Sequence, residues 1–341
     1  MKRLSLLLFI SLCMQYNAHS QHNTGHKTTP PAKTGFSVKT ISKTSWNTPD
    51  GLRYIKVPGA NLGCTSFEPV DKSRLALLSD ASSEIVFISK ANGKVLQRFK
   101  VADAPRDFAF DKGIFYVLAD NRLCEYDENG KLLKATTLPA SLMGANRISR
   151  YNNATYVLMP SGNSAEIITS TPEASVKSHK GWISANGTFI STVLKGERSY
   201  SFEVHDGSGK TFEKTVATDK KVAGVYIVGT SRDRIVLDIQ TYINESPIQV
   251  ERHLVSFAWS AAGIGNQIAV QKVPDCYYVL SNKEFMVSAD GSVLEMLSAP
   301  QGLLFFMLTE TTLQKAMDYP ATILAEKYHF NDHLLQENEP K

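Results

Sequence analysis

Two short segments about forty residues apart say nearly the same thing: ISKANGKVLQ (Ile88 to Gln97) and EYDENGKLLK (Glu125 to Lys134). Each is an apolar strand, a turn ending Asn-Gly-Lys, and a second strand. A unit of this kind cannot bury its own faces and must stack on a copy of itself. A fixed period therefore restricts the chain to repeat architectures. Three longer stretches align, starting at Phe67, Phe108 and Ile148. Each runs as four strands joined by short turns.

The local chemistry agrees. IFYVLA (Ile114 to Ala119) and ATYVLM (Ala154 to Met159) are almost continuously apolar, as strands covered on both faces are. SEIVFI and RLCEYD alternate, as half-covered strands do. Asn92-Gly93 and Asn129-Gly130 are expected as two-residue hairpin turns with positive φ at both positions. More diverged units follow at about Trp182 to Val216, Val222 to Val273 and Cys276 to Leu308. A four-stranded unit of about 40 residues, repeated, is the pattern of a β-propeller. The expected fold is thus all-β, a propeller of six blades or, with further divergence, seven, over residues 46–309. GLRYIKVP (Gly51 to Pro58) is the expected closing strand, since an open ring would leave an exposed sheet edge. The segment 310–341, with TTLQKAMDY and ATILAEKYHFNDHLLQ around Pro320, is expected to be a short helical extension.

Residues Ala91 to Asp120, ANGKVLQRFKVADAPRDFAFDKGIFYVLAD, resemble the YVTN and NHL families of propeller repeats: an outer hairpin, then Ala-Pro-Arg opening the next unit, then the buried strand. The resemblance covers about a third of the chain. It implies a propeller and no particular activity, because those families include lyases, lactonase-like enzymes, receptors and scaffolds.

Residues 1–20 have a basic start, an apolar run from Leu4 to Leu12, and Ala18-His19-Ser20 at their end. That is the pattern of a cleaved secretory signal, and the run is too short to span a bilayer. The expected location is therefore periplasmic or extracellular, with 21–45 as a disordered leader. Without Lys2 and Arg3, the 37 basic residues become 35 against 33 acidic ones, a formal charge of +2. Near-neutrality argues against a nucleic-acid partner. An envelope or extracellular protein or a glycan is the expected partner, with the chain acting as a monomer.

Catalytic motifs are missing. GSGKT (Gly207 to Thr211) lacks the leading glycine of a phosphate loop and sits in a hairpin. His329 and His333 are half a zinc shell. What remains is position: propellers bind at one end of the central channel, on loops leading into the innermost strands. Here those loops and their neighbours carry Asn61, Asp80, Arg106, Asp120, Asn146, Arg147, Trp182, Arg198 and Asp275. Arg106 and Arg147 hold near-equivalent places in successive units, and two guanidiniums at a channel mouth would suit a carboxylate or an acidic sugar. The competing reading pairs them with Asp80, Asp107 or Asp120 to lock neighbouring units. A ligand- or protein-binding module is the favoured function. The alternative is a metal-dependent lactonase-like hydrolase or lyase using a divalent cation on Glu68, Asn61, Asn146 and Asp275. Cys64 and Cys276 lead into inner strands that ring closure would bring together, but neighbouring inner strands often diverge beyond the reach of a disulfide, so both are expected as buried thiols.

Overall fold

The computed structural model describes residues 34–57, 60–168, 174–206, 209–274 and 278–324. Strands dominate it, and neighbouring sheet strands are almost everywhere consecutive in the chain. The first sheet comprises Cys64–Pro69, Arg74–Ser79, Glu84–Ser89 and Val95–Lys100. The second comprises Pro105–Asp111, Ile114–Ala119, Arg122–Asp127 and Leu132–Thr137. The third comprises Arg147–Tyr151, Ala154–Leu158, Ser164–Ile168 and Ser175–His179. The fourth comprises Trp182–Ile183, Phe189–Gly196, Ser199–His205 and Thr211–Ala217. All four are antiparallel meanders. An eight-stranded sheet completes the set. One half runs Val222–Thr230, Arg234–Glu245, Ile248–Ser260 and Gly263–Val273. The other runs Phe285–Val287, Val293–Ala299, Gly302–Thr312 and, outermost, Thr34–Thr44. The halves meet at a single parallel pair, Thr34 opposite Ala269.

The sequence pattern explains the radial order. Second strands are buried on both faces, Leu75 to Ser79 and Phe115 to Ala119 without interruption. Outer strands Val95–Lys100 and Leu132–Thr137 are largely exposed. Apolar faces then stack sheet on sheet. Phe87 and Ile85 of the first sheet pack with Phe108, Phe115 and Val117 of the second. Leu118 and Leu123 of the second pack with Ile148 and Val157 of the third. Phe189 of the fourth lies flat on His179 of the third, with ring centroids 4.4 Å apart. Phe202 of the fourth packs on Phe257. The last contact closes a ring, with Phe67 and Leu77 of the first sheet against Met296, Leu303 and Phe305 of the closing half. The architecture is that of a β-propeller.

Closure departs from expectation. Gly51 to Pro58 does not supply the closing strand: Ile55–Val57 pairs with Ala60–Leu62 in a separate two-stranded ribbon. The closing strand is Thr34–Thr44, drawn from the segment expected to be a leader, and it pairs with Gly302–Thr312 from Thr34↔Thr312 to Thr44↔Leu303. Phe36 and Val38 alternate into the core between the halves. Residues 21–33, like residues 1–20, which were expected to form a signal, lie outside the described residues.

The hairpin turns also differ in detail. Gly93 and Gly130 have positive φ, but Asn92 and Asn129 do not. In the second of these loops Asp127 Oδ1 accepts from the N–H groups of Asn129 and Lys131, and a register shift falls between Glu125 and Tyr126. That is a longer loop ending in a glycine bulge rather than a two-residue turn. The Gly93 turn supports ring closure: a Cβ there would stand 2.0 Å from Lys43 O, and Thr44 Oγ1 donates to Gly93 O.

The C-terminal extension is only partly helical where it is described, with a 3₁₀ turn at Leu313–Lys315 and one short helix, Ala321–Leu324. Residues 325–341, including His329 and His333, lie outside the described residues. No described helix is long and apolar enough to cross a membrane. The extension straps the seam between the halves. Val38 N–H donates to Met317 O, and buried Tyr319 places its hydroxyl 2.6 Å from Glu295 Oε2. Glu295 is fully buried, and that burial, with Glu284 nearby, pushes its carboxyl up to about 8.

Two outcomes test this closure. Phe36→Ala should cost about 3–5 kcal/mol in urea unfolding, the range for emptying a buried phenylalanine site, whereas an undocked leader would lose nothing. Glu295 binds its proton more tightly folded than unfolded, so its contribution is complete below the ordinary carboxyl range near 4.5 and is lost as pH rises to about 8. Glu295→Gln should remove that fall in the urea midpoint across the same window.

Candidate functional site

The first strand of every sheet, and of both halves of the eight-stranded sheet, lines one central cavity of about 200 Å³. A second cavity, of about 360 Å³, lies where those strands begin, with Asn146, Tyr226, Gln240 and Asn282 on its walls. Arg147, Val228, Lys283 and Phe285 line both, so they form the partition between channel and mouth.

The partition is charged. Lys283 is 4% exposed, and its ammonium donates to Glu68 Oε1 at 2.8 Å and Phe108 O at 2.7 Å and stands 3.3 Å from Asp107 Oδ1. Asp107 is fully buried, and its Oδ2 accepts from Ile148 N–H. These contacts join the closing half to the first, second and third sheets. Burial pushes the Glu68 carboxyl up, while Lys283 pulls it down. One ammonium thus compensates two buried carboxylates, a geometry that water would otherwise have to provide.

Arg147 has a different environment. Its guanidinium lies over the Trp182 indole, 5.0 Å from the ring centroid, in cation–π contact. Among the described residues its Nε has no hydrogen-bond partner, and no carboxylate comes within 4 Å. Burial disfavours its charge, and the more distant Asp107 and Glu68 carboxylates offset that in part. Arg106 is bound instead: it donates to Ala145 O at 2.9 Å and stands 3.6 Å from Asp120 Oδ1. The two arginines are therefore not a pair facing one ligand. Arg106 locks sheets together, and Arg147 faces the cavities.

The mouth has a second charged wall. Arg252, 3% exposed, bonds Asp238 Oδ2 at 2.7 Å and Glu284 Oε2 at 2.8 Å. All three side chains line the mouth cavity.

The other sequence candidates are dispersed. Asn146 is exposed on the mouth, and Trp182 is buried beneath Arg147. Asn61 Nδ2 donates to Tyr278 O, and Asp80 Oδ1 accepts from Gly63 N–H, so both hold the small ribbon in place. Asp120 is exposed at φ +47, and Arg198 is exposed in the turn between the second and third strands of the fourth sheet. Asp275 lies outside the described residues. Of the residues considered for a metal, Glu68 is bonded to Lys283, Asn61 donates to Tyr278 O, and Asn146 lines the mouth cavity. Among the described residues no three His, Cys, Asp or Glu side chains are grouped to hold an ion. Cys64 is buried, with its thiol pushed up by that burial, while Cys276 lies outside the described residues.

Sequence reasoning missed Lys283, Asp238, Arg252 and Glu284. The unit containing Lys283 was expected to start at Cys276, but its inner strand starts at Phe285, nine residues later, so the loop before it carries Lys283 and Glu284 rather than Asp275. Asp238 carried a readable signal: a lone carboxylate inside the apolar run RIVLDIQ must find a partner when buried.

No protein-family description matches the chain, and no curated protein matches it. Solved structures do resemble it. Hydrazine synthase of Kuenenia stuttgartiensis is 14% identical over 81% of this chain and 80% of its own, with a TM-score of 0.44. Virginiamycin B lyase of Staphylococcus aureus is 12% identical over 81% and 99%, at 0.42. The Neurospora crassa Pan2 WD40 domain is 9% identical over 82% and 97%, at 0.43. At these values the matches bear on neither activity nor ligand, and the propeller architecture rests on strand order and sheet stacking.

Lys283→Met should destabilise the protein by about 3–5 kcal/mol in chemical denaturation, because it leaves the buried Glu68 and Asp107 carboxylates without their cation.

Proposed function

We propose that the chain is an exported, six-bladed propeller of YVTN/NHL type that serves as a binding module, taking the carboxylate of a glycan, peptide or small molecule at the channel mouth. Arg147 carries this reading. A guanidinium that is partly desolvated, braced on an indole, lining a cavity and without a carboxylate within 4 Å among the described residues is pre-organised for an anionic oxygen pair. The volume and mixed lining of the mouth are those of a small-molecule site. The signal-like residues 1–20 and the near-neutral charge support an extracytoplasmic role without nucleic acid. Export, the six blades and the repeat family are parts of the same proposal.

The test is calorimetric titration of the mature protein with hexuronic acids, dicarboxylates, free amino acids and acidic oligosaccharides. At least one carboxylate should bind. Arg147→Gln should weaken that binding tenfold or more, while Arg106→Gln, which breaks only the Ala145 and Asp120 contacts, should leave it unchanged. Equal affinity of the wild type and Arg147→Gln would overturn the assignment.

A further inference from the structure

Beyond Thr312 two side chains hold the chain to the ring. From Leu313 to Ile323 every residue is exposed except Tyr319 and Ile323. Those two enter the core between the halves of the eight-stranded sheet, with Phe36, Val228, Leu254 and Phe306. The Tyr319 ring stands edge-on to Phe306, with centroids 5.2 Å apart. Val38 N–H donates to Met317 O, Gln271 Nε2 donates to Asp318 Oδ1, and Ile323 N–H turns back to Pro320 O. A segment with so little buried surface opens locally, at a lower free energy than the whole domain.

The deeper anchor ends on a buried acid. Tyr319 O–H donates to Glu295 Oε2 at 2.6 Å. Glu295 is fully buried, its cross-strand partners are Phe285 and Phe306, and its Oε1 has no hydrogen-bond partner among the described residues. The charges that act on it come from three other elements: Glu284 before Phe285–Val287, Asp238 in Arg234–Glu245, and Arg252 in Ile248–Ser260. The one guanidinium among them bonds both carboxylates. Burial first, and Glu284 second, therefore favour the neutral acid. We propose that Leu313–Ile323 is a latch across the seam between the halves, closed on a protonated Glu295 and released as that carboxyl ionises. With the strap lifted, water reaches the carboxyl and returns it to its ordinary range. The closed state then holds its proton more tightly than the open one. Closure is strongest below the ordinary range near 4.5, weakens by up to about tenfold per pH unit above it, and stops weakening near pH 8. Release uncovers the apolar seam and frees Val38 N–H on the closing strand. Phe285, which faces Glu295 across the ladder, also lines both cavities, so the latch stands one strand behind the mouth.

The test is amide hydrogen exchange of the full mature chain from pH 6 to pH 9, corrected for the intrinsic pH dependence of exchange. Opening of the strap is read at Val38 and Ile323, and global opening over Val293–Ala299. Val38 and Ile323 should exchange at least tenfold faster than Val293–Ala299. Their opening should rise tenfold or more between pH 6 and pH 8 and level off above. Glu295→Gln should flatten that rise. Tyr319→Phe keeps the ring and the carboxyl but removes the donor, and should raise opening severalfold at pH 6. Should Glu295→Gln fail to fold, the wild-type pH series decides alone. Exchange at Val38 and Ile323 no faster than over Val293–Ala299 overturns the latch, because the strap then opens only with the whole domain. So does an opening that is unchanged between pH 6 and pH 8, or a rise that survives in Glu295→Gln.

Discussion

The ammonium of Lys283 sits where the sheets converge, and the ring depends on it. A propeller brings the first strands of all its sheets together around one axis. Any carboxylate carried there is taken out of water. Glu68 and Asp107 are two such groups, and Lys283 reaches both while also donating to Phe108 O. Asp107 in turn accepts from the backbone of the third sheet's first strand. A single side chain from the closing half thus neutralises charge contributed by two other sheets and is linked through Asp107 to another. Such a cluster is weak evidence for net stability, because desolvation opposes the Coulomb attraction, but its members cannot be removed singly without leaving a bare charge.

The perimeter is secured by a different kind of contact. The outermost strand of the closing half, Thr34–Thr44, comes from the opposite end of the chain from its neighbour Gly302–Thr312. Its apolar residues Phe36 and Val38 enter a core shared by both halves of the eight-stranded sheet. The strap ending at Tyr319 and Ile323 then covers that seam and caps Glu295. Pairing the two chain ends covers the edge that Gly302–Thr312 would otherwise leave open, which is how a closed ring avoids adding a strand from another molecule there.

Arg106 and Arg147 show how similar positions in successive repeats come to serve different ends. Arg106 has Asp120 and Ala145 O within reach and is consumed in locking sheets. Arg147 has an aromatic face behind it and open space in front. The difference lies in the neighbours, not in the residue type.

The period of the hydrophobic pattern was enough to determine the repeating four-stranded unit and the limits of most units, because strand burial and turn chemistry are local properties written in consecutive residues. Ile114 to Ala119 reads as doubly covered from its composition alone, and from Phe115 to Ala119 it is. The closing strand was not legible, because Thr34–Thr44 is polar enough on its solvent side to pass for a leader, and only pairing with a strand some 270 residues away gives it an inner face. The site was half legible. Asn146, Arg147 and Trp182 follow from where a unit begins, but Lys283, Asp238 and Arg252 become neighbours of Arg147 only when the ring shuts. Which charges end up paired and which remain open is set by distances across the channel, and the chain acquires those only in its tertiary structure.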